Sequence, residues 1–354
     1  MAGATIYDVA ARAGVSIKSV SRVLNGEANV SEALRRKVEG AVALLGYRRS
    51  LSARSLAGSA SSIITALVDA KLTIEHWRSG RGNDYLSRLE LGLLMECREA
   101  DHHLMVELVD YDAPTLRQDL SNLLAAIRPQ GVVLTPPNSD NALVLDVLEE
   151  TGTPYARIGP ETAPHRGIRI RMDDVGAAEE ITDHLLDLGH VDLAYVSGPA
   201  AYSASRLRRV GFEAALRRRG LAPRPEWMAE GEFTFGSGLE AAERLLTGPH
   251  RPTAIFAAND DMALGVLQAA VSAGLNVPRD LSVAGFDDTP SALFSTPSLT
   301  TIRHPVAEMA AAAAQRLIPL LKTRLESGSD PDEAIVSHAL MVRASTAPPA
   351  HPAA

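Results

Sequence analysis

The chain has 354 residues, of which 46% are hydrophobic and 22% charged, with a net charge of −8 and a single cysteine. That length calls for two or three domains rather than one core. Cys97 alone excludes an internal disulfide framework and a Cys-rich zinc site. There is no run of about eighteen apolar residues, and no basic segment leads into an apolar stretch at the N-terminus. Neither a membrane span nor a secretory leader is therefore expected, and the expected compartment is the cytoplasm.

The charge is unevenly divided. Residues 1–60 hold nine Lys/Arg against four Asp/Glu, and the remainder holds 26 against 39. A basic head (+5) on an acidic body (−13) suits a local phosphate-binding surface.

Three short helices are expected first. Thr5 and Asp8 have capping-box spacing, and Ile6, Val9, Ala10 and Ala13 form an apolar stripe that Gly14 stops. Ser16 can cap a second helix, Ile17 to Leu24, whose Val20, Val23 and Leu24 face inward before Asn25-Gly26 breaks it. Val30-Ser31 reads as staple and cap for a third, with Leu34, Val38, Val42 and Leu45 on one face and Gly46 at its end. Helix, tight turn, helix is the helix-turn-helix pattern. Its second helix would enter the major groove, where Lys18 or Arg22 suits guanine and Ile17 a thymine methyl. Thr5, Tyr7, Ser16, Ser19, Ser21 and Asn25 suit phosphate oxygens. An ordinary surface helical hairpin would give the same periodicity.

Residues 48–61 are rich in Ser, Ala and Arg and read as a linker or conditional helix. From Ser62 onward, apolar strands alternate with amphipathic helices. The strands are Ile63–Val68, Leu104–Val109, Gly131–Leu134, Leu193–Val196, Ala254–Ala257 and Leu281–Phe286. The helices include Leu86–Glu99, Asp140–Glu149, Ala177–Leu188, Ser205–Arg218, Leu239–Leu246 and Asp261–Ala273. Such alternation means parallel sheets covered on both faces, and about 280 residues of it implies two doubly wound lobes around a cleft. The expected divisions are a headpiece 1–47, a linker 48–61, a sensor 62–346 and a disordered tail 347–354. Within the sensor, one lobe takes 62–186 and 304–333, the other 187–303 and 334–346.

Thr5-Ile6-Tyr7-Asp8-Val9-Ala10, Ser19-Val20-Ser21-Arg22-Val23-Leu24-Asn25, Val30-Ser31 and Leu45-Gly46-Tyr47 closely resemble the headpiece of the lactose-repressor family. Ser52 to Gly58 resembles that family's hinge helix. The resemblance implies that Leu56 wedges into the DNA minor groove while Ala53 and Ala57 allow close approach; bending the DNA offsets the unstacking. Leu56 packed under the sensor is the plainer reading. In the body, Ser205-Arg206-Leu207-Arg208, Ala258-Asn259-Asp260-Asp261 and Leu281 to Thr289 also resemble this family, whose sensor shares the fold of periplasmic sugar-binding proteins. The implied fold class is an all-α helix-turn-helix headpiece plus α/β, two doubly wound parallel-sheet lobes of the periplasmic-binding-protein-like type.

By the same resemblance Arg208 forks onto ligand hydroxyls or a carboxylate, Asn259 and Asp287 hydrogen-bond the ligand, and Phe233 stacks on it. Asp174 and His304 are placed at the cleft more loosely. Asn259 and Asp287 as helix or turn caps, and His304 as a packing residue, are the alternatives. The stretch Asp69 to Tyr85 departs from the family as a longer loop; Asp69 and Trp77 in it are candidate effector contacts, and Trp77 stacks on a sugar, forms a lid or meets a second subunit.

Gly236-Ser237-Gly238-Leu239-Glu240-Ala241 fits a dinucleotide fingerprint only weakly, since no full buried strand precedes it. His102-His103 lacks partners at metal-ligand spacing. No catalytic group, cofactor or metal is expected. The expectation is a homodimeric regulator of carbohydrate uptake or catabolism on near-palindromic operator DNA, answering to a saccharide. A nucleobase or nucleoside effector is the alternative, as is a periplasmic-type sugar-binding protein without regulatory role.

Overall fold

The structure, a computed structural model, describes residues 4–24, 27, 29–47, 62–80, 82, 84–248, 250–321 and 332–350. Asn25 and the hinge residues Ala53, Leu56 and Ala57, with the whole of 48–61, lie outside the described residues. The chain divides into two compact units, Met1–Ser61 and Ser62–Ala354.

The first unit contains α1 (Ile6–Ala13), α2 (Ile17–Leu24) and α3 (Glu32–Leu45). The capping box at Thr5 and Asp8 is present, and α1 ends on Gly14 at φ 65°, a conformation that costs other residues a Cβ clash. Ser16 accepts from the Ser19 N–H at 3.1 Å, and Ser31 caps α3 through the Leu34 N–H. Val9, Val20 and Val38 are fully buried and bring the three helices together.

The second unit is two parallel sheets. The strands of the first are β1 (Ile63–Asp69), β2 (His103–Val109), β3 (Gly131–Leu134), β4 (Tyr155–Ile158), β5 (Ile168–Arg171) and β11 (Glu333–Ile335), in the order β11-β5-β4-β3-β1-β2. Helices α4 (Ala70–Ser79), α5 (Asp84–Glu99), α6 (Leu116–Ile127), α7 (Ala142–Glu150) and α13 (Val306–Leu320) accompany it. The second sheet has the order β7-β6-β8-β9, from β6 (Leu193–Ser197), β7 (Met228–Glu230), β8 (Ala254–Ala257) and β9 (Ser282–Ala284). Around it lie α8 (Asp174–Asp187), α9 (Ser203–Arg218), α10 (Phe235–Leu246), α11 (Asp260–Ser272) and α12 (Pro290–Phe294). All pairings within both sheets are parallel. The strands are buried on both faces, as β3, β4 and β8 show at every position. An antiparallel pair, β10 (Thr301–Arg303) with β12 (Ala339–Met341), lies where the chain passes between lobes.

Several boundaries differ from expectation. The lobe change placed at 186/187 falls before α8, because α8 packs along α9 of the second lobe; Gly211 of α9 permits this, since a Cβ there would come 2.3 Å from the Val175 carbonyl oxygen. The return at 333/334 falls later, because β11 pairs with β5 through Ile335. The loop expected after β1 is largely the helix α4: Asp69 accepts from the Lys71 and Leu72 N–H groups, and Gly80 closes it at φ 67°. The tail does not begin at 347. The Ala347 N–H donates to Ser282 Oγ and its carbonyl accepts from His190 and Ser282, which seats it against β9.

Candidate functional site

In both sheets the strand ends that carry β1, β3, β4, β8 and β9 into their loops open on one cleft, the place where open α/β sheets put ligands. Arg208 is its centre. Its side chain is 3% exposed. Nε donates to Asp174 Oδ1 at 3.0 Å, Nη1 to the Ala258 carbonyl at 2.7 Å, and Nη1 lies 3.8 Å from Asp287 Oδ1. The guanidinium sits over the Phe286 ring at 3.6 Å. Nη2 has no protein partner among the described residues, so the fork keeps donors for a ligand acceptor.

Asp287 follows β9 with φ 117°, and His304 Nδ1 lies 3.2 Å from its Oδ1. Asn259 caps α11: its Oδ1 accepts from the Met262 N–H at 2.9 Å, and Nδ2 donates to the Phe233 carbonyl at 3.0 Å. The capping alternative thus describes Asn259, although it also borders the cleft. Phe233 adopts φ 58° and meets Tyr202 edge to face at 5.4 Å. Asp69, besides capping α4, accepts from the Tyr202 hydroxyl across the cleft. Burial, then the Asp69 carboxylate, pushes the Tyr202 hydroxyl far above the usual phenol range.

The cleft collects Arg208, Asn259, Asp287, Phe233, Asp174, His304 and Asp69. Trp77 does not join them. It is 52% exposed, on the side of α4 away from the cleft, while Thr73 and His76 of the same helix line it. The helical period that turns His76 inward turns its neighbour out. The stacking expectation for Trp77 is corrected accordingly.

Sequence reasoning missed Tyr85, Tyr202, His76, Asp84 and Arg88. Arg88 of α5 donates to the carbonyls of Asp287 and Asp288 in the other lobe and pairs with Asp84 at 2.7 Å. Burial raises the Asp84 carboxyl, opposed by Arg88, and burial lowers the His76 imidazole. Further cross-cleft bonds join the Ser203 hydroxyl to the Gly159 carbonyl at 2.8 Å and Arg206 to Glu161. No motif announced these residues; their partners are distant in the chain. Gly238, the weak fingerprint glycine, faces Met262 with 2.3 Å for a Cβ, so it serves close packing of α10 on α11.

In the headpiece, Ile17 and Lys18 are exposed at the start of α2, and Tyr7 is exposed on α1. Thr5 and Asp8 bond each other, as do the Ser16 and Ser19 hydroxyls. Arg22 Nε donates to Glu27 Oε2 at 3.0 Å and Nη2 to the Asn29 carbonyl at 2.8 Å. Among the described residues there is no metal-binding cluster, and no helix is long and apolar enough to cross a membrane.

Comparison with known proteins agrees with both halves of this description. Residues 5–50 match the pattern of bacterial regulatory proteins of the lacI family, and residues 182–346 match a periplasmic binding protein-like domain. The chain is 34% identical over 319 residues to the ribose operon repressor of Escherichia coli (strain K12), covering 89% of this chain and 92% of that one. Among solved structures it is similar to the Lac repressor dimer bound to operator and the anti-inducer ONPF, at TM-score 0.79 and 29% identity, over 98% of this chain and 100% of that one. It is likewise similar to a complex of the transcriptional regulator CelR with cellobiose, at TM-score 0.72 and 28% identity, over 97% and 99%. The chain belongs to the lacI family of bacterial regulatory proteins: it is a non-enzymatic, DNA-binding transcriptional regulator with a periplasmic-binding-protein-like effector domain.

Proposed function

We propose that the protein represses genes of carbohydrate uptake or catabolism, as a cytoplasmic homodimer on a near-palindromic operator whose affinity changes when a small saccharide enters the cleft. The observation that carries the reading is the arrangement around Arg208. A planar donor fixed by Asp174 and stacked on Phe286, a carboxylate at Asp287 and an aromatic side chain at Phe233 match the donors, acceptors and apolar patches of a sugar ring. Relatives named for ribose and cellobiose support the ligand class.

On the DNA side, Ile17, Lys18 and Arg22 read bases, while Thr5, Tyr7, Ser16, Ser19, Ser21 and Asn25 hold phosphates. Leu56, between Ala53 and Ala57, enters the minor groove. In α5 the residues Leu91, Leu94 and Met95 form an exposed apolar stripe at helical spacing, which supports a second copy as partner. The headpiece 1–47, linker 48–61 and sensor from 62 are the working units.

The test is a thermal-shift screen of pentoses, hexoses, disaccharides and nucleosides, followed by operator binding with each compound that shifts the melt. A saccharide that raises Tm and changes operator affinity is expected, because a ligand bound only by the native state stabilises it by linkage. A response confined to nucleosides overturns the carbohydrate reading.

A further inference from the structure

The recognition helix α2 presents Arg22 in a fixed posture, and the fixing group is Glu27. Three contacts hold it. The Glu27 N–H donates to the Arg22 carbonyl at 3.1 Å, closing the end of the helix. Its carboxylate takes the Arg22 Nε–H at 3.0 Å. The Asn29 carbonyl takes one Nη2–H at 2.8 Å.

A guanidinium has five N–H donors in one plane. These contacts use the Nε–H and one Nη2–H. The two Nη1 hydrogens and the second Nη2 hydrogen have no partner among the described residues. Nη1 thus keeps both hydrogens and Nη2 one, and an Nη1–H beside an Nη2–H is the end-on pair that meets guanine O6 and N7.

The geometry points to Glu27 as a specificity-determining positioning residue, which with the Asn29 carbonyl holds Arg22 so that its end-on fork reads one guanine in each half-site. The inference rests on the reading of α2 as the groove helix. An arginine free to rotate loses side-chain entropy when it docks and can turn to any nearby phosphate. Held at two nitrogens, it meets a base edge with that entropy already spent and its alternatives restricted. The pair is half exposed, with side chains 37% and 48% accessible, so it adds little to stability. Its effect is on direction. Glu27 also places a negative charge close to the DNA backbone, which weakens binding to every sequence alike; loss of that repulsion is the competing expectation for any variant.

The experiment uses the full-length protein and a pool of randomised 20-bp duplexes, selected by binding and sequenced, followed by competition among single-base variants of the winning duplex. The wild type should favour guanine at one position of each half-site, and Arg22→Ala should flatten that position. Glu27→Ala should flatten the same position, reducing the preference for guanine by about tenfold, with other positions unchanged. Glu27→Gln keeps an acceptor for Nε–H and should restore part of the preference, and it also covers the case in which Glu27→Ala loosens the headpiece. Tighter binding to all duplexes by Glu27→Ala, with the guanine preference intact, overturns the proposal and leaves Glu27 as a simple repulsive charge. An unchanged profile in Arg22→Ala overturns the groove-helix reading itself, and the positioning role with it.

Discussion

Arg208 is a cation taken almost wholly out of water, and its cost is offset by Asp174, Asp287, the Ala258 carbonyl and the Phe286 face. Removing one partner of such a group is worse than removing both, because the survivor stays buried and unpaired. Asp174→Ala should therefore lower unfolding free energy by about 3–5 kcal/mol in urea titrations; a loss under about 1 kcal/mol would mean that water reaches the guanidinium. Arg208→Met should abolish the thermal shift from any compound that shifts the wild type while operator binding without ligand persists; a retained shift would remove Arg208 from the site. Arg208 and Asp287 were legible through the resemblance of the stretches that hold them, Ser205 to Arg208 and Leu281 to Thr289, and Asp174 only loosely. Arg157 was not. It is fully buried in β4 yet donates to the carbonyls of Ser139, Thr162, Ala163 and Arg166 and pairs with Asp140. Arg169 sits similarly in β5 beside Glu333. A pattern that counts arginine as a surface residue passes over both strands, since nothing local reveals where five hydrogen bonds come from.

Elements are placed by close approaches that only particular residues permit. A Cβ on Gly92 of α5 would stand 2.1 Å from the Ala307 carbonyl oxygen and 2.8 Å from the Ala310 side chain of α13. Backbone cannot yield as a flexible side chain does, so Gly92→Ala must push the two helices apart. The expected loss is about 1–3 kcal/mol, as for overpacking in a core, read as a lower urea midpoint; an unchanged midpoint would show that α5 is free to shift. Helix α4 depends on its cap. Asp69→Ala removes the acceptor of the Lys71 and Leu72 N–H groups and strands the buried Tyr202 hydroxyl. About 1–3 kcal/mol should be lost, with faster amide exchange in α4 than in α5; uniform exchange would mean that α4 does not depend on the Asp69 cap. The same helix explains a limit of sequence reading. Its polar face hides the 3.6-residue period, so it passed for a loop, and with the loop went the inference that put Trp77 in the cleft. The long apolar strands and strongly amphipathic helices were legible within a few residues. β7, β10, β11 and β12 are three residues each, too short to show alternation.

At the scale of the whole molecule, the two lobes are joined by polar contacts as well as by chain crossings, and buried histidines in the second lobe and at the cleft make the fold sensitive to acid. His190 has its ring nitrogens on Thr253, Ser282 and the Ala347 carbonyl, tying β8 and β9 to the C-terminal segment. His184 reaches Thr346 of the same segment, and His76 lies in α4 at the cleft. Burial depresses all three. The native state thus keeps them neutral at a pH where the unfolded chain, with histidines near 6.5, takes up protons. A depressed base contributes stability that is complete above about pH 6.5 and is lost as pH falls toward the folded values. Asp260 works in the opposite sense: burial, then Asp287, raises its carboxyl, so its contribution is complete below the ordinary Asp range and is lost as pH rises toward the folded value. Wherever native Asp260 is still protonated while the unfolded Asp is ionised, it opposes the slope of one histidine, and the three histidines outnumber it between pH 7 and 5. Tm should fall from pH 7 to 5, with protons taken up on unfolding, at up to about 1.4 kcal/mol per pH unit for each histidine. His190→Asn removes one of the three and should shallow the slope by about one proton, while lowering Tm at pH 8 through its lost hydrogen bonds. A slope equal to wild type would mean that His190 takes up protons alike in the native and unfolded states, the Ala347 carbonyl offsetting the effect of burial.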